Sequence, residues 1–359
     1  MRAGGNMKIT IAINGEGWGH LSRARALAEI LVKSNDITFR APPHVRDELL
    51  KTFPHARIKL IPCFSFEQRG FNIDYAKTIT SNAALFFSSF RVQSEIAREL
   101  REEGTQMVLS DFEPFTSRAA KIVGIPVLQL NHPGIVSRTF GFSPAHIASR
   151  IVSRYMMGHS DRTLICSFFG GDVGPIIREE LRSKKVVSGD YFVVYQKKMY
   201  KDILEPVLEK IGRDRFRVFP DSRYDYAESL AGSAGLIAPA GHQSISEALA
   251  LGKPVLAIPV LGQFEQELNA RKLRQSGFGD WCSFDDLAER LPVFIENAGG
   301  YERTIQNYAE RTKKGKKGEW MCSDDTYRAA YLVECFMHES VRRPEWKRTR
   351  IISPLAATR

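Results

Sequence analysis

Two doubly wound α/β domains in tandem, their parallel sheets facing a cleft, are the architecture this sequence predicts. Three observations predict it. Strand-like runs alternate with helix-period segments from residue 8 to about 166, and again from 191 to about 275, which marks βαβ units and a mostly parallel sheet. Each block carries a glycine-containing turn from a strand into a helix. The 359 residues suit about two domains, each large enough to bury a core.

The elements follow in order. Lys8–Asn14 is a short β-branched apolar run, Gly15–Gly19 punctuates it, and Leu21, Ala24, Leu27, Ala28 and Leu31 recur at helical spacing. Ile37–Arg40, Ile58–Ile61, Met107–Ser110, Pro126–Leu130 and Arg162–Cys166 read as further strands. Helical segments lie between them, near 44–53, 76–103, 114–123 and 144–158. The polar run Arg182-Ser183-Lys184-Lys185 has linker character. Beyond it Tyr191–Tyr195, Phe216–Phe219, Gly235–Ala238 and Val255–Ile258 read as strands, with helices near 201–211, 224–231, 242–251 and 265–275. The remainder reads as helices at 284–297, 301–312 and 324–340, with a basic loop at Lys313–Lys317. The expected division is 1–183 for the first domain, 184–341 for the second with its terminal helices, and a basic tail at 342–359.

Composition narrows the class. Hydrophobic residues make up 43% and charged residues 26%, an ordinary globular balance that excludes a disordered or collagen-like chain. No apolar run is long enough to span a bilayer. The five cysteines are odd in number and dispersed, without a CxxC pair. That argues against a zinc site or a disulfide framework and for a reducing cytoplasm. The formal charge of +10 favours anionic partners such as phosphate-bearing ligands or an anionic membrane face. No recognition-helix, RNP or aromatic-interleaved basic motif points to nucleic acid.

Three segments carry candidate chemistry. In Asn14-Gly15-Glu16-Gly17-Trp18-Gly19-His20, the glycines Gly15, Gly17 and Gly19 follow a strand and open a helix. Such a turn lets a ligand approach the backbone, and the helix start offers free N–H groups to an anion. His20 at that start is placed to exchange a proton. The second segment runs from Pro239 to Pro254. Gly241, His242, Gln243 and Ser244 crowd a helix start suited to a diphosphate, and Glu247 on its first turns either caps the helix or accepts from a ribose diol. In the third, Glu265, Gln266 and Asn269 stand at the next helix start, where carboxylate and carboxamide groups suit sugar hydroxyls.

Together these segments resemble a GT-B glycosyltransferase, most closely the family-28-type enzymes that include the cell-wall N-acetylglucosaminyltransferase, and related prokaryotic proteins. The pattern G-x-x-S-x-x-E-A-L-x-x-G-K-P reads here as Gly241, Ser244, Glu247, Ala248, Leu249, Gly252, Lys253 and Pro254. Glu265, Gln266, Asn269, Ala270 and Leu273 follow at the family spacing. The diphosphate loop reads Gly-His-Gln-Ser where many relatives have Gly-Ala-x-Thr. The resemblance implies a nucleotide-sugar donor, expected to be a UDP-sugar, held by the second domain. Glu247 would take the ribose, Gly241–Ser244 the diphosphate, and Glu265, Gln266 and Asn269 the sugar. Phe219 and Asp221 would lie near the base. It implies no cofactor and no bound metal, and an acceptor in the first domain facing Gly17, Gly19 and His20.

Inverting transfer needs a base for the acceptor hydroxyl. His20 is the first candidate, with Asp111 and Glu113 of Ser110-Asp111-Phe112-Glu113-Pro114 next; these carboxylates alternatively cap the following helix. His132, ending another strand, lines the acceptor side or simply precedes Pro133 in a turn. Leu85, Phe86, Phe87 and Phe90 form an apolar cluster. Buried, it is core; exposed, it suits a lipid-linked acceptor and peripheral contact with the inner face of an anionic membrane. Two other readings stay open: a nucleotide-sugar hydrolase of the same fold, which Gly19-His20-x-x-Arg23 also resembles, and a non-catalytic nucleotide or polyanion binder.

Overall fold

The computed structural model of the protein describes residues 6–69, 72–139, 141, 144–196, 200–260, 262–313 and 320–342. Lys314–Lys317 of the basic loop and all but the first residue of the tail lie outside them.

The first domain runs β1 (Met7–Ile13), α1 (Trp18–Leu31), β2 (Asn35–Ala41), α2 (Pro43–Thr52), β3 (Arg57–Leu60), the short pair β4 (Gln68–Arg69) and β5 (Asn72–Ile73), α3 (Tyr75–Glu102), β6 (Met107–Asp111), α4 (Pro114–Val123), β7 (Val127–Asn131), α5 (Pro144–Met157) and β8 (Arg162–Ile165). Its main sheet has the order β3-β2-β1-β6-β7-β8, all parallel. The central strands β6 and β7 are buried along their whole length, as parallel strands covered on both faces must be. Leu27 and Leu31 of α1 and Leu49 of α2 cover one face. Ile96 and Leu100 of α3, Phe115 of α4 and Met156 of α5 cover the other.

The second domain begins after a coil and the short helix α6 (Glu179–Arg182). It runs β9 (Phe192–Tyr195), α7 (Lys201–Ile211), β10 (Phe216–Phe219), α8 (Tyr226–Ala231), β11 (Gly235–Pro239), α9 (His242–Ala250), β12 (Val255–Ile258), α10 (Phe264–Ser276), β13 (Gly279–Trp281), α11 (Leu287–Lys313) and α12 (Thr326–Arg342). Its sheet is β10-β9-β11-β12-β13, again all parallel.

Beyond the short elements β4, β5 and α6, three features differ from the sequence reading. Strand β13 was not expected, because three residues centred on Asp280 show no apolar periodicity. The two helices expected at 284–297 and 301–312 are one, α11. Gly299 and Gly300 each cost about 1 kcal/mol in a helix, but Leu291, Phe294, Ala298 and Ile305 are buried along the same helix and hold it together. Third, α12 was expected with the second domain. Ala329, Ala330, Val333, Phe336 and Met337 instead join the core of the first, beside Leu27 and Ile9.

The strand order places a switch point in each sheet. Loops diverge there, and a crevice opens beyond the strands' carboxyl ends. In the first sheet it lies between β1 and β6, whose last paired residues are Ile13 and Asp111. In the second it lies between β9 and β11. Helix α1 leaves the first switch point and α9 the second.

Candidate active site between the two domains

The first half of the site forms where β1 and β6 end. Gly15 is pressed so closely on its surroundings that a Cβ there would come within 2.6 Å of Pro42. Gly17, at φ 84°, turns the chain into α1 in a conformation that favours glycine. No side chain caps that helix, and its first turn holds no acid. His20 therefore stands beside an open, positive helix end. Opposite it, Phe112 adopts φ 60°, the one non-glycine residue with positive φ among the described residues. Asn14 secures the strained turn by donating from Nδ2 to the Phe112 carbonyl at 2.8 Å. Strain of this kind, of order 1–3 kcal/mol, gathers at functional sites.

The turn sets Asp111 against α1. Its Oδ1 lies 2.7 Å from Nδ1 of His20. Arg23 grips the same carboxylate twice, Nε to Oδ2 at 2.9 Å and Nη2 to Oδ1 at 3.0 Å. All three side chains are buried. Burial pushes the Asp111 carboxyl up, but Arg23 and His20 outweigh it and hold it below the usual carboxylate range.

Glu113 is not available as a base. It is buried, and its two oxygens accept from the N–H groups of Phe115 at 2.8 Å and Thr116 at 2.7 Å. It is the N-cap of α4, the alternative reading of this segment.

The second half is the start of α9. This helix too has no side-chain cap and no acid in its first turn, so its N–H groups remain open to an anion. Space lies open around Gly241, and Ser244 is half-exposed. The two helix starts meet: a Cβ on Gly19 would stand 3.1 Å from that of Gln243. His242 turns inward instead of toward a ligand. Its ring stacks on His132, centroids 3.7 Å apart, and its Nε2 meets Ser246 at 3.0 Å.

The matching family model, glycosyl transferase family 1, covers residues 7–298. The chain belongs to this family. An uncharacterised glycosyltransferase of Methanosarcina acetivorans is 26% identical over 342 residues, covering 79% of this chain and 87% of the relative. One from Methanosarcina mazei is 24% identical over 337 residues with the same coverage. Among solved structures, the kitacinnamycin glycotransferase matches with a TM-score of 0.63 at 13% identity, over 93% of this chain and 99% of its own. MurG of Acinetobacter baumannii matches at 0.60 and 14%, over 92% and 99%. Phytolacca americana UGT2 matches at 0.63 and 13%, over 94% and 100%. The fold is GT-B, and the protein is a glycosyltransferase.

In this glycosyltransferase the remaining expected donor residues fall into three groups. Glu247 is buried: Gln243 donates to its Oε1 at 3.1 Å, and Arg178, from the coil between the domains, lies 3.4 Å from the same oxygen. Glu265 keeps an edge in solvent, with 22% of its side chain exposed, and lies 3.8 Å from Nε2 of His132. Burial pushes its carboxyl up to about 7, and Arg23 opposes part of that rise. Asn269 and Gln266 are tied elsewhere. Asn269 is fully buried; it donates to the Ala240 carbonyl at 3.1 Å and its Oδ1 meets His132 at 2.9 Å. Asn269, expected at the sugar, thus presents no open face in this structure. Gln266 accepts from Val260 N at 3.0 Å and donates to Gln263 at 2.7 Å, so it shapes the loop before α10. Phe219 is core, packed edge-on to Tyr226 with centroids 5.3 Å apart. Asp221 pairs with Arg223 in the loop after β10.

His132 lies between the domains, not in the open acceptor face. Its Nδ1 meets the Cys166 carbonyl at 3.0 Å. Burial drives its imidazole down to about 3, and Arg23 and His20 push the same way.

The sequence assigns no role to Arg178, and it names Arg23 only within Gly19-His20-x-x-Arg23. For Arg23 a signal existed, since it follows His20 by three and shares its helix face. For Arg178 there was none, because it sits in irregular chain.

Proposed function

We propose that this glycosyltransferase moves a sugar, with inversion, from a UDP-sugar to an acceptor hydroxyl without needing a bound metal ion. One observation carries the reading: a buried His–Asp pair at one uncapped helix start stands directly against a second uncapped helix start. In this reading His20 takes the acceptor proton on Nε2 while Asp111 holds Nδ1–H and steadies the imidazolium. The N–H groups of Gly241–Ser244 receive the departing diphosphate, and the end of the α9 dipole offsets its charge. Glu247 takes the ribose, and Glu265 a sugar hydroxyl. The choice of UDP is supported by two solved structures of the same fold, one in complex with UDP-2fluoro-glucose and the other with UDP.

The acceptor is proposed to be lipid-linked and reached at an anionic membrane. Among the described residues no helix is long and apolar enough to cross a membrane, so the contact would be peripheral. On α3, Ile79, Phe86, Phe87 and Phe90 are 70, 54, 84 and 74% exposed, and their spacing puts them on one face. Ile147 and Ile151 on α5 are exposed with them, as are Arg150 and Arg154, and α5 carries no acidic residue. An aromatic path leads inward: Phe86 to Tyr155 at 5.9 Å, and Tyr155 to Phe64 at 5.8 Å. Phe64 lines an apolar hollow with Asn14 and Gly15.

Incubation with UDP-, GDP-, dTDP- and CMP-sugars in chelator, with and without polyprenyl-phosphate-linked acceptors in vesicles, tests the whole. UDP-sugar consumption that depends on acceptor and gives the inverted anomer is expected. Donor cleavage to free sugar without acceptor would replace transfer by hydrolysis. Binding without turnover would leave a nucleotide-binding protein, and loss of activity in chelator, restored by magnesium or manganese, would end the metal-free part.

A further inference from the structure

His20 Nδ1 has two close neighbours that make opposite demands on it. Asp111 Oδ1 is at 2.7 Å, and Nη2 of Arg23 is at 2.9 Å. An ionised carboxylate only accepts and a guanidinium only donates. Nδ1 can satisfy one of them. If it kept a lone pair for Arg23, that lone pair would face a carboxylate oxygen 2.7 Å away. Arg23 already has a partner for Nη2, in Oδ1 at 3.0 Å. The arrangement with every donor matched is therefore Nδ1–H on Asp111, which leaves the lone pair on Nε2. Among the described residues Nε2 meets no hydrogen-bond partner.

We propose that Arg23 is a positioning residue: by holding Asp111 ionised and in a fixed plane it sets His20 in the tautomer whose Nε2 is free. The inference rests on the reading of His20 as the base and names what positions it. In that tautomer the base accepts the hydroxyl proton on Nε2 and returns it to solvent when the product leaves.

Other charged or titratable groups surround the centre. Glu265 from α10, His132 after β7, His242 at α9 and Cys166 after β8 all interact electrostatically with Arg23. None of these is hydrogen-bonded to the ring of His20 among the described residues.

The test needs no substrate. The full-length protein is labelled with 15N- and 13C-histidine, and the His20 signals are assigned by their loss in His20→Gln. The expected wild-type spectrum shows a protonated Nδ1 and a bare Nε2. In Arg23→Met, which frees the Asp111 carboxylate to rotate, a protonated Nε2 signal should appear beside the Nδ1 signal. A protonated Nε2 in the wild type overturns the proposal, as does an unchanged tautomer in Arg23→Met. If Arg23→Met does not fold, the wild-type tautomer still decides. Full donor turnover in His20→Gln would instead remove His20 as the base and leave these spectra unaffected, so the two failures are distinguishable.

Discussion

His132 of the first domain and His242 of the second stack face to face, their rings 12° from parallel and their centroids 3.7 Å apart. The pair closes one edge of the boundary between the domains. The ring of His242 fills the seam at the start of α9.

The stack makes the protein acid-sensitive. Burial lowers both imidazoles, His132 to about 3. Their stabilising contribution is complete above the ordinary histidine value near 6.5 and is lost as pH falls from there toward 3. Melting temperature should therefore drop between pH 7 and pH 5, and His242→Leu should flatten that drop. An unchanged slope in the variant would assign the acid sensitivity elsewhere.

Removing the base should separate catalysis from binding. His20→Gln is expected to lower turnover by about 10²–10⁴ with donor affinity nearly unchanged, read by steady-state kinetics and calorimetry with UDP. Asp111→Asn should also lower the melting temperature, because it leaves Arg23 buried without its counter-charge, a loss of about 3–5 kcal/mol.

Glu247→Ala is expected to weaken UDP binding about ten- to hundredfold, the worth of a hydrogen bond to a charged group. Binding of the 2′,3′-dideoxy nucleotide should change little. Equal losses for both nucleotides would mean that Glu247 serves Arg178 and not a ribose.

Glu265 should impose a pH dependence of opposite sign to the histidines. A carboxyl raised to about 7 contributes stability below its unfolded value, which is lost as pH rises through 7. Glu265→Gln should match the wild type near pH 4 and exceed it at pH 8. The gain should be about 1–2 kcal/mol, allowing for solvent at its exposed edge. Urea titrations at the two pH values measure it.

Phe87→Asp should abolish flotation with vesicles rich in phosphatidylglycerol and leave the melting temperature within about 1 °C, since an exposed side chain contributes little to folding. Wild-type protein that fails to float with such vesicles, or a variant that floats equally well, would count against membrane docking.

The tandem α/β plan was legible because it is written locally. Parallel strands and amphipathic helices carry their own periods, and the turns at Gly15–Gly19 and Gly241 mark where strands give way to helices. The positions of His20, Glu247 and Glu265 near helix starts that follow strands were legible for the same reason. Local pattern reports that a side chain must be buried, exposed or capped, but not what it meets. Glu113 is both a carboxylate beside the cleft and the best cap for α4, and only the backbone geometry chose the cap. The phenylalanines of α3 have the composition of a core, and only the packing left them outside it. His132 and Asn269 come together across 137 residues, and the amphipathic face of α12 suits either domain. Such pairings are decided by which surfaces remain uncovered once both sheets have formed, and no window of sequence contains that information.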